Sequence, residues 1–349
     1  MRIVRLLTWT IGGFLAVLAV AFAALQTGPA QRALASIVSD LAWTPDSRLN
    51  LQGLSGFIPT DLKIERVELA DRQGPWLTIE DAQVRWSFLS LLSGRVHIDI
   101  VSARRIDVAR PPEPAKTEAT GAKGGSSLQL PVGVDLQALS IDELHIGAAL
   151  AQVDSRWKIT GNAVLPASLA DGRLKLEGNR LDGPMGRLGA DIRFDANTQT
   201  VDGEVTFDEG KGGVAAALLE RPDIEGFATR LAVRGDPRAG SADLTLSAAD
   251  AATATGKASW QPRDAATEIT LRLDAAGPGL PKGPVTDAIR GPLTLTATAA
   301  LDDKLVTLRE ARLTSGPVGL TASGRYERAA DRLQGTVTVE AAEPGPFGP

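Results

Sequence analysis

The sequence predicts a mainly β protein: a single N-terminal transmembrane helix followed by an elongated, curled antiparallel β-sheet, with a β-sandwich as the alternative packing of the same strands. Three observations carry this. Residues 6–25 form an apolar run, and no charge occurs between Arg5 and Arg32. From Asn50 onward apolar and polar residues alternate with a period of two, the spacing of half-buried strands. Clusters such as Asp182-Gly183-Pro184, Asp195-Ala196-Asn197, Gly235-Asp236-Pro237, Gly277-Pro278-Gly279 and Gly316-Pro317 break the alternation at turn-like intervals.

Residues 1–27 read as a cytoplasmic N-terminus and signal-anchor. Leu6, Ile11, Phe14, Leu15, Val17, Leu18, Val20, Phe22 and Leu25 supply the apolar surface of the span. Roughly 20 such residues at 1.5 Å each cross the ~30 Å hydrocarbon core, and a helix satisfies its own backbone there. Arg2 and Arg5 precede the run and no acid occurs before Asp40, so the N-terminus is placed in the cytoplasm and the body on the far side. Ala21-Phe22-Ala23 has the form of a signal-peptidase site, which keeps a cleaved signal open as the competing reading. Residues 28–43 follow as an amphipathic helix, with Ala33, Leu34, Ile37, Val38 and Leu41 at helical spacing. It either caps the open end of the sheet or lies on the membrane surface.

Composition narrows the function. A net charge of −5 and 4% aromatic residues provide neither a phosphate-neutralising stripe nor a series of base-stacking platforms, so nucleic acid is excluded as a partner. The absence of cysteine removes disulfides, thiolate metal sites and thiol nucleophiles. No nucleotide-binding glycine motif, nucleophile elbow or zinc-protease motif occurs, so no cofactor, metal or nucleotide is expected and the chain reads as a non-enzyme. His97 and His145 sit at outward strand positions and are expected to be solvated, as are Asp142, Glu143, Asp302 and Asp303. Among the six tryptophans, Trp9 falls in the span and Trp43 ends the amphipathic helix, while Trp76, Trp86, Trp157 and Trp260 fall on or beside strands; Trp86 is assigned to the inner face.

Residues 44–110 form the first strand unit. Leu62 and Ile64 are followed by Val67 and Leu69, with a two-residue phase slip at Glu65-Arg66 of the kind a β-bulge or short turn produces. Further runs are Leu77 and Ile79; Ala82, Val84 and Trp86; Val96, Ile98 and Ile100; Ile106 and Val108. Residues 111–127, rich in Pro, Gly, Lys, Glu, Ser and Thr, are expected to be a disordered spacer loop. Residues 128–349 continue the sheet. Leu139, Ile141, Leu144 and Ile146 repeat the spacing and slip of Leu62 to Leu69, and Val306, Leu308, Ala311 and Leu313 form a fainter copy. Only 214–219 and 285–289 have short helical character.

About eighteen strands at ~4.8 Å apiece would advance ~85 Å, and a sheet that long curls or splits. Folded tightly, its inner faces interdigitate as a sandwich; curled loosely, they line a trough. An apolar trough open to water is costly at ~25 cal/mol per Å², so an apolar occupant would fill it, and acyl chains are at hand beside a membrane anchor. The residues assigned to that face are Leu62, Ile64, Val67, Leu69, Leu77, Ile79, Val84, Trp86, Val96, Ile98, Ile100, Ile141, Leu144 and Ile146. Alternation serves a sandwich core equally well.

The anchor, the amphipathic helix, Gly53-Leu54-Ser55-Gly56 running into Leu62-x-Ile64-x-x-Val67-x-Leu69, then Trp76-Leu77-x-Ile79 and Leu91-Leu92-Ser93-Gly94-Arg95-Val96-x-Ile98 together resemble the start of the TamB family. These are inner-membrane subunits of the translocation and assembly module, within the wider AsmA-like, repeating β-groove group. The resemblance covers residues 1–110 and the second copy at 139–146; beyond that it is general strand-and-turn character. It implies a single-pass inner-membrane protein with a periplasmic body, phospholipid movement along a groove, and a partner outer-membrane barrel, TamA, in assembling autotransporters. Family members are several times longer. The barrel-contacting C-terminal domain has no counterpart in this sequence, whose end at Pro344-Gly345-Pro346 reads as a break inside a turn of a longer chain.

Overall fold

The computed structural model describes residues 48–113 and 133–341, apart from 168–169, 219, 222–223, 250, 265, 278–290, 303, 317 and 329. The anchor at 1–27, the helix at 28–43, nearly all of the spacer loop and the helical stretch at 285–289 lie outside the described residues. Among the described residues no helix is long and apolar enough to cross a membrane.

The chain divides into two units, Met1–Ala167 and Ser168–Pro349. The first contains β1 (Arg48–Phe57), β2 (Asp61–Asp71), β3 (Gly74–Ser87), a 3-10 turn (Phe88–Ser93), β4 (Arg95–Val108), β5 (Gly133–Ile146), α1 (Ala148–Ala151) and β6 (Ser155–Leu165). Its strands hydrogen-bond in sequence order. All neighbours are antiparallel except β4 and β5, which run parallel and pair from Arg95↔Gly133 to Val108↔Ile146. The uniformly antiparallel expectation is corrected here: residues 109–132 give a connection longer than the dozen or so that a parallel crossover needs.

The second unit is an antiparallel meander. It runs through β7 (Gly172–Arg180), β8 (Gly186–Asp195), β9 (Thr200–Gly210), α2 (Val214–Leu218), β10 (Gly226–Gly235), β11 (Gly240–Ala248) and β12 (Ala252–Arg263). It continues through β13 (Ala266–Ala276), β14 (Leu293–Leu301), β15 (Leu305–Ser315), β16 (Val318–Glu327) and β17 (Arg332–Ala341). The helix α2 falls where helical character was expected, and it is tied to the sheet by a buried carboxylate. Glu209 pairs with Arg180, and its other oxygen accepts the Ala215 N–H at 3.0 Å. Ala216, Ile224 and Ala248 pack beside it against Phe227 in a small core.

Neither unit folds a second layer over its sheet among the described residues. Strands that pack closely are hydrogen-bonded neighbours. A sandwich would bury the large inner-face side chains of both sheets. Among the described residues the buried hydrophobic side chains number eleven and six of them are alanine, too few and too small for a two-layer core in that part of the chain. The sandwich expectation is not met within either unit.

Phase slips organise the first unit. A residue's parity fixes its face, so Ile64 and Val67 share a face only if the strand slips between them. On β1 the slip falls at Gly53, on β2 at Glu65 and on β3 at Asp81, and the β1–β2 pairing passes from Gln52↔Arg66 to Leu54↔Ile64 without a change of register. Gly53 and Asp81 both take left-handed backbone conformations, φ 66° and 51°. Because neighbouring strands slip at one level, the register is kept. β6 has no slip: Trp157, Ile159, Ala163 and Leu165 keep one parity, and the β5–β6 register therefore shifts at Leu136/Leu139 and Ile141/Leu144. The faint copy at 306–313 carries a bulge as well, between Leu308 and Ala311.

Gly53 bears directly on this arrangement. A Cβ there would lie 2.3 Å from the Glu65 side chain, on a backbone that L-residues reach at a cost of about 1–2 kcal/mol. Gly53→Ala is expected to lower unfolding stability by that amount in urea titration; an unchanged midpoint would show that the slip on β1 tolerates a side chain.

Candidate functional site

Register converts the alternating sequence into apolar rows that cross strand after strand. In the first unit one row runs Leu51, Val67, Ile79, Ile106, Leu144, Trp157 from β1 to β6. Beside it lie Leu49, Leu69, Leu77, Val108 and Ile146 on one flank and Leu62, Val84, Val101 and Leu139 on the other. A further row joins Trp86, Ile98, Leu136 and Ala163, while Val96 pairs with Val134 and Ile141 with Ala103 and Ile159. Leu54 and Ile64 pair at the level of the slip.

The residues expected on the inner face are thus brought together, with one departure. Ile100 pairs with Arg85 at the bulge between Arg85 and Trp86, and Val101 takes its place opposite Val84. Sequence reasoning passed over Leu49, Leu51 and Leu54, although Leu49-x-Leu51-x-x-Leu54 has the same spacing as Leu62-x-Ile64-x-x-Val67. It passed over Val101 because Ile98-x-Ile100 had already satisfied a simple alternation.

The second unit repeats the pattern over more strands. Leu176, Ala190, Val205, Leu231, Leu244 and Gly256 form a row from β7 to β12. It continues as Leu273, Leu295, Leu313, Leu320 and Val339 to β17. Exposure along this row is substantial: Leu231 is 41% and Val339 59% exposed.

The opposite face is charged. In the first unit Arg66 pairs with Glu68 at 2.8 Å, Arg104 with Glu80 and Asp81 at 2.7 and 2.6 Å, and Arg105 with Glu143 at 3.1 Å. In the second, Arg230 donates to Glu204 at 2.6 Å and Arg234 to Asp202 at 3.1 Å. Such exposed pairs contribute little individually, but opposite charges set across neighbouring strands favour the observed register. A concavity of about 460 Å³ in the second unit is lined by Lys175, Asp191, Arg193, Asp202, Glu204 and Arg234, and so lies mainly on this charged side.

Both histidines fall on the parallel β4–β5 seam and are half-buried rather than solvated. His97 Nδ1 is 3.0 Å from Asp135 and its Nε2 3.5 Å from Asp99; His145 Nδ1 is 3.0 Å from Asp107 and its Nε2 3.5 Å from Asp154. The pairing is reciprocal, because Asp135 stands opposite His97 and His145 opposite Asp107 in the aligned strands. Among the described residues no cluster of three His, Asp or Glu side chains is placed to hold a metal ion.

Just beyond the C-terminal end of β4, Arg110 clamps the β2–β3 turn. Its guanidinium donates to both oxygens of Asp71, at 2.5 and 2.7 Å, and to the Gly74 carbonyl at 2.7 Å, while the Glu113 N–H adds a bond of 2.9 Å to Asp71. The clamp fixes where the chain leaves the sheet after β4.

Comparison with protein-family models, curated proteins and solved structures finds no match for this chain. Among the described residues, fold and site define in each unit a single-layered β-sheet with one apolar and one ion-paired face.

The Asp71 clamp makes an acid-stability prediction. Hydrogen bonds from Arg110 first, then from the Glu113 and Gln73 N–H groups, hold the Asp71 carboxyl well below the usual carboxylate range against the opposing effect of burial. Its folded pKa lies below the unfolded one, so its stabilisation is full above the unfolded value of about 3.9 and is lost as pH falls from there toward the depressed folded value. Asp71→Asn is expected to be less stable at pH 7 and to lose less stability between pH 5 and pH 2 than the wild type. Parallel pH profiles for the two proteins would remove Asp71 from the acid response.

Proposed function

We propose that the chain is a non-enzymatic, membrane-anchored periplasmic protein whose apolar face carries phospholipid acyl chains between the inner and outer membranes. In this reading it serves an outer-membrane assembly apparatus of the translocation and assembly module type. The single observation that carries the proposal is the apolar face of the first unit: rows of Leu, Ile and Val run across its strands to Trp157 and Ile159 on β6, and among the described residues no second layer lies over them. Exposed apolar area costs ~25 cal/mol per Å², so a face of this extent calls for an apolar occupant. The apolar run at 6–25 supplies proximity to one.

The mechanism is passive. Acyl chains lie along the rows, perpendicular to the strands, and headgroups remain in water. Leucine, isoleucine and valine rows present no polar group that would distinguish one lipid from another, so selectivity is low. Continuity of the rows provides the path. Direction comes from lipid supply and removal at the two ends.

Ile79 stands between Val67 and Ile106 in the central row, while its neighbour Thr78 faces Glu68 and Asp107 on the charged side. A lysine set among acyl chains costs about 3 kcal/mol. Ile79→Lys is expected to reduce phospholipid co-purifying with the protein several-fold, measured by quantitative mass spectrometry, whereas Thr78→Lys leaves it unchanged. Equal lipid in all three proteins would reject the apolar face as the lipid surface.

A further inference from the structure

The two margins of the first unit, where its strands end and turn, differ in chemistry. At one margin Asp71 and Arg110 clamp the β2–β3 turn, Arg72 and Gln73 face water, and Leu150 is 39% exposed. At the other, large apolar side chains stand in solvent: Phe57 at the end of β1 is 53% exposed, Phe88 and Leu89 in the 3-10 turn 51% and 63%, and Val164 near the end of β6 41%. Hydrogen bonds fix their placement. The Trp86 N–H donates to the Thr60 carbonyl at 2.8 Å and its indole N–H to the Pro59 carbonyl at 2.6 Å, which joins the β1–β2 turn to the end of β3. Ser90 Oγ accepts the His97 N–H at 3.0 Å and pins the 3-10 turn to β4. From β1 to β6, at ~4.8 Å per strand, the apolar side chains are strung along about 24 Å.

Cations accompany this line. Lys63 and Arg95 are exposed near the same margin, and neither forms an ion pair with another described residue. The carboxylates closest to them in the strands are engaged: Asp61 accepts the Gln83 amide at 2.8 Å, Asp99 faces Arg85 at 3.6 Å, and Asp135 lies 3.0 Å from His97. We propose that this margin rests on a bilayer surface containing anionic phospholipid, with the four apolar side chains among the headgroups and Lys63 and Arg95 against phosphate. Apolar side chains with basic neighbours form the composition that settles in a membrane interface, and each cation adds attraction to anionic headgroups. A line of separate side chains fits a plane, whereas protein partners are met by a patch with a buried centre. The contact sets the bilayer beside the row of Trp86, Ile98, Leu136 and Ala163. It requires a membrane next to the first unit, and it does not require acyl chains on the rows.

The absence of cysteine lets a single label report one position in the full chain. The probe is a nitrobenzoxadiazole label read against vesicles of phosphatidylcholine and phosphatidylglycerol that contain doxyl-phosphatidylcholine as quencher. Quenching at Leu89→Cys and at Phe57→Cys is expected to exceed that at Gln73→Cys, on the clamped margin, by about threefold or more. Adding Arg95→Glu, or omitting phosphatidylglycerol, is expected to lower the quenching at Leu89→Cys severalfold. Ile106→Cys reads the apolar rows separately: quenching at Leu89→Cys but not at Ile106→Cys supports the bilayer contact while rejecting lipid on the rows. Quenching at Ile106→Cys alone overturns the contact and leaves the rows occupied. Equal quenching at Leu89→Cys and Gln73→Cys, or no response to Arg95→Glu and to removal of the anionic lipid, would also overturn the proposal.

Discussion

Side chains change face at every residue of a strand, so an apolar row can cross several strands only if the strands that slip do so at one level. The first unit meets that constraint at Gly53, Glu65 and Asp81, and its pairing registers stay constant across the slips. The apolar face depends on it. Had one of these strands slipped alone, half its leucines and isoleucines would stand among the arginines and carboxylates of the other face. β6 shows the alternative solution, an unslipped strand accommodated by register shifts against its neighbour.

A single layer leaves two faces to be stabilised by different means. The charged face is laced by cross-strand pairs such as Arg104 with Glu80 and Arg230 with Glu204, which keep it hydrated and favour one register. Among the described residues the apolar face of the first unit is partly exposed along β1 to β5, while Trp157 and Ile159 on β6 are buried. The β4–β5 seam is the parallel pairing among the described strand pairs. It is held by the reciprocal His97–Asp135 and Asp107–His145 contacts, and the Asp71–Arg110 clamp fixes the chain at the exit from β4.

Much of this was legible in the sequence, and the parts that were not have identifiable reasons. The slip at Glu65-Arg66 and its copies at 139–146 and 306–313 announced themselves, because two apolar parities in one run have few other structural meanings. Strand direction did not, since alternation carries no arrow. The one available signal was the length of the connection before β5. The His–Asp seam was missed because each histidine was read within its own strand. Aligning Val96-His97 with Val134-Asp135, and Ile106-Asp107 with Leu144-His145, each thirty-eight residues on, exposes the exchange. Open layer and sandwich cannot be separated by periodicity, because both need the same alternation; what distinguishes them is that the described residues fold no second layer over either sheet.

The central claim is that acyl chains occupy the apolar rows, and site-specific photo-crosslinking in cells tests it most directly. Benzoylphenylalanine placed at Ile106 lies in the central row between Ile79 and Leu144, whereas at its neighbour Arg105 it lies on the ion-paired face beside Glu143. The account predicts a phospholipid adduct at Ile106 and none at Arg105. Equal labelling at the two positions, or a protein adduct in place of lipid at Ile106, would contradict it.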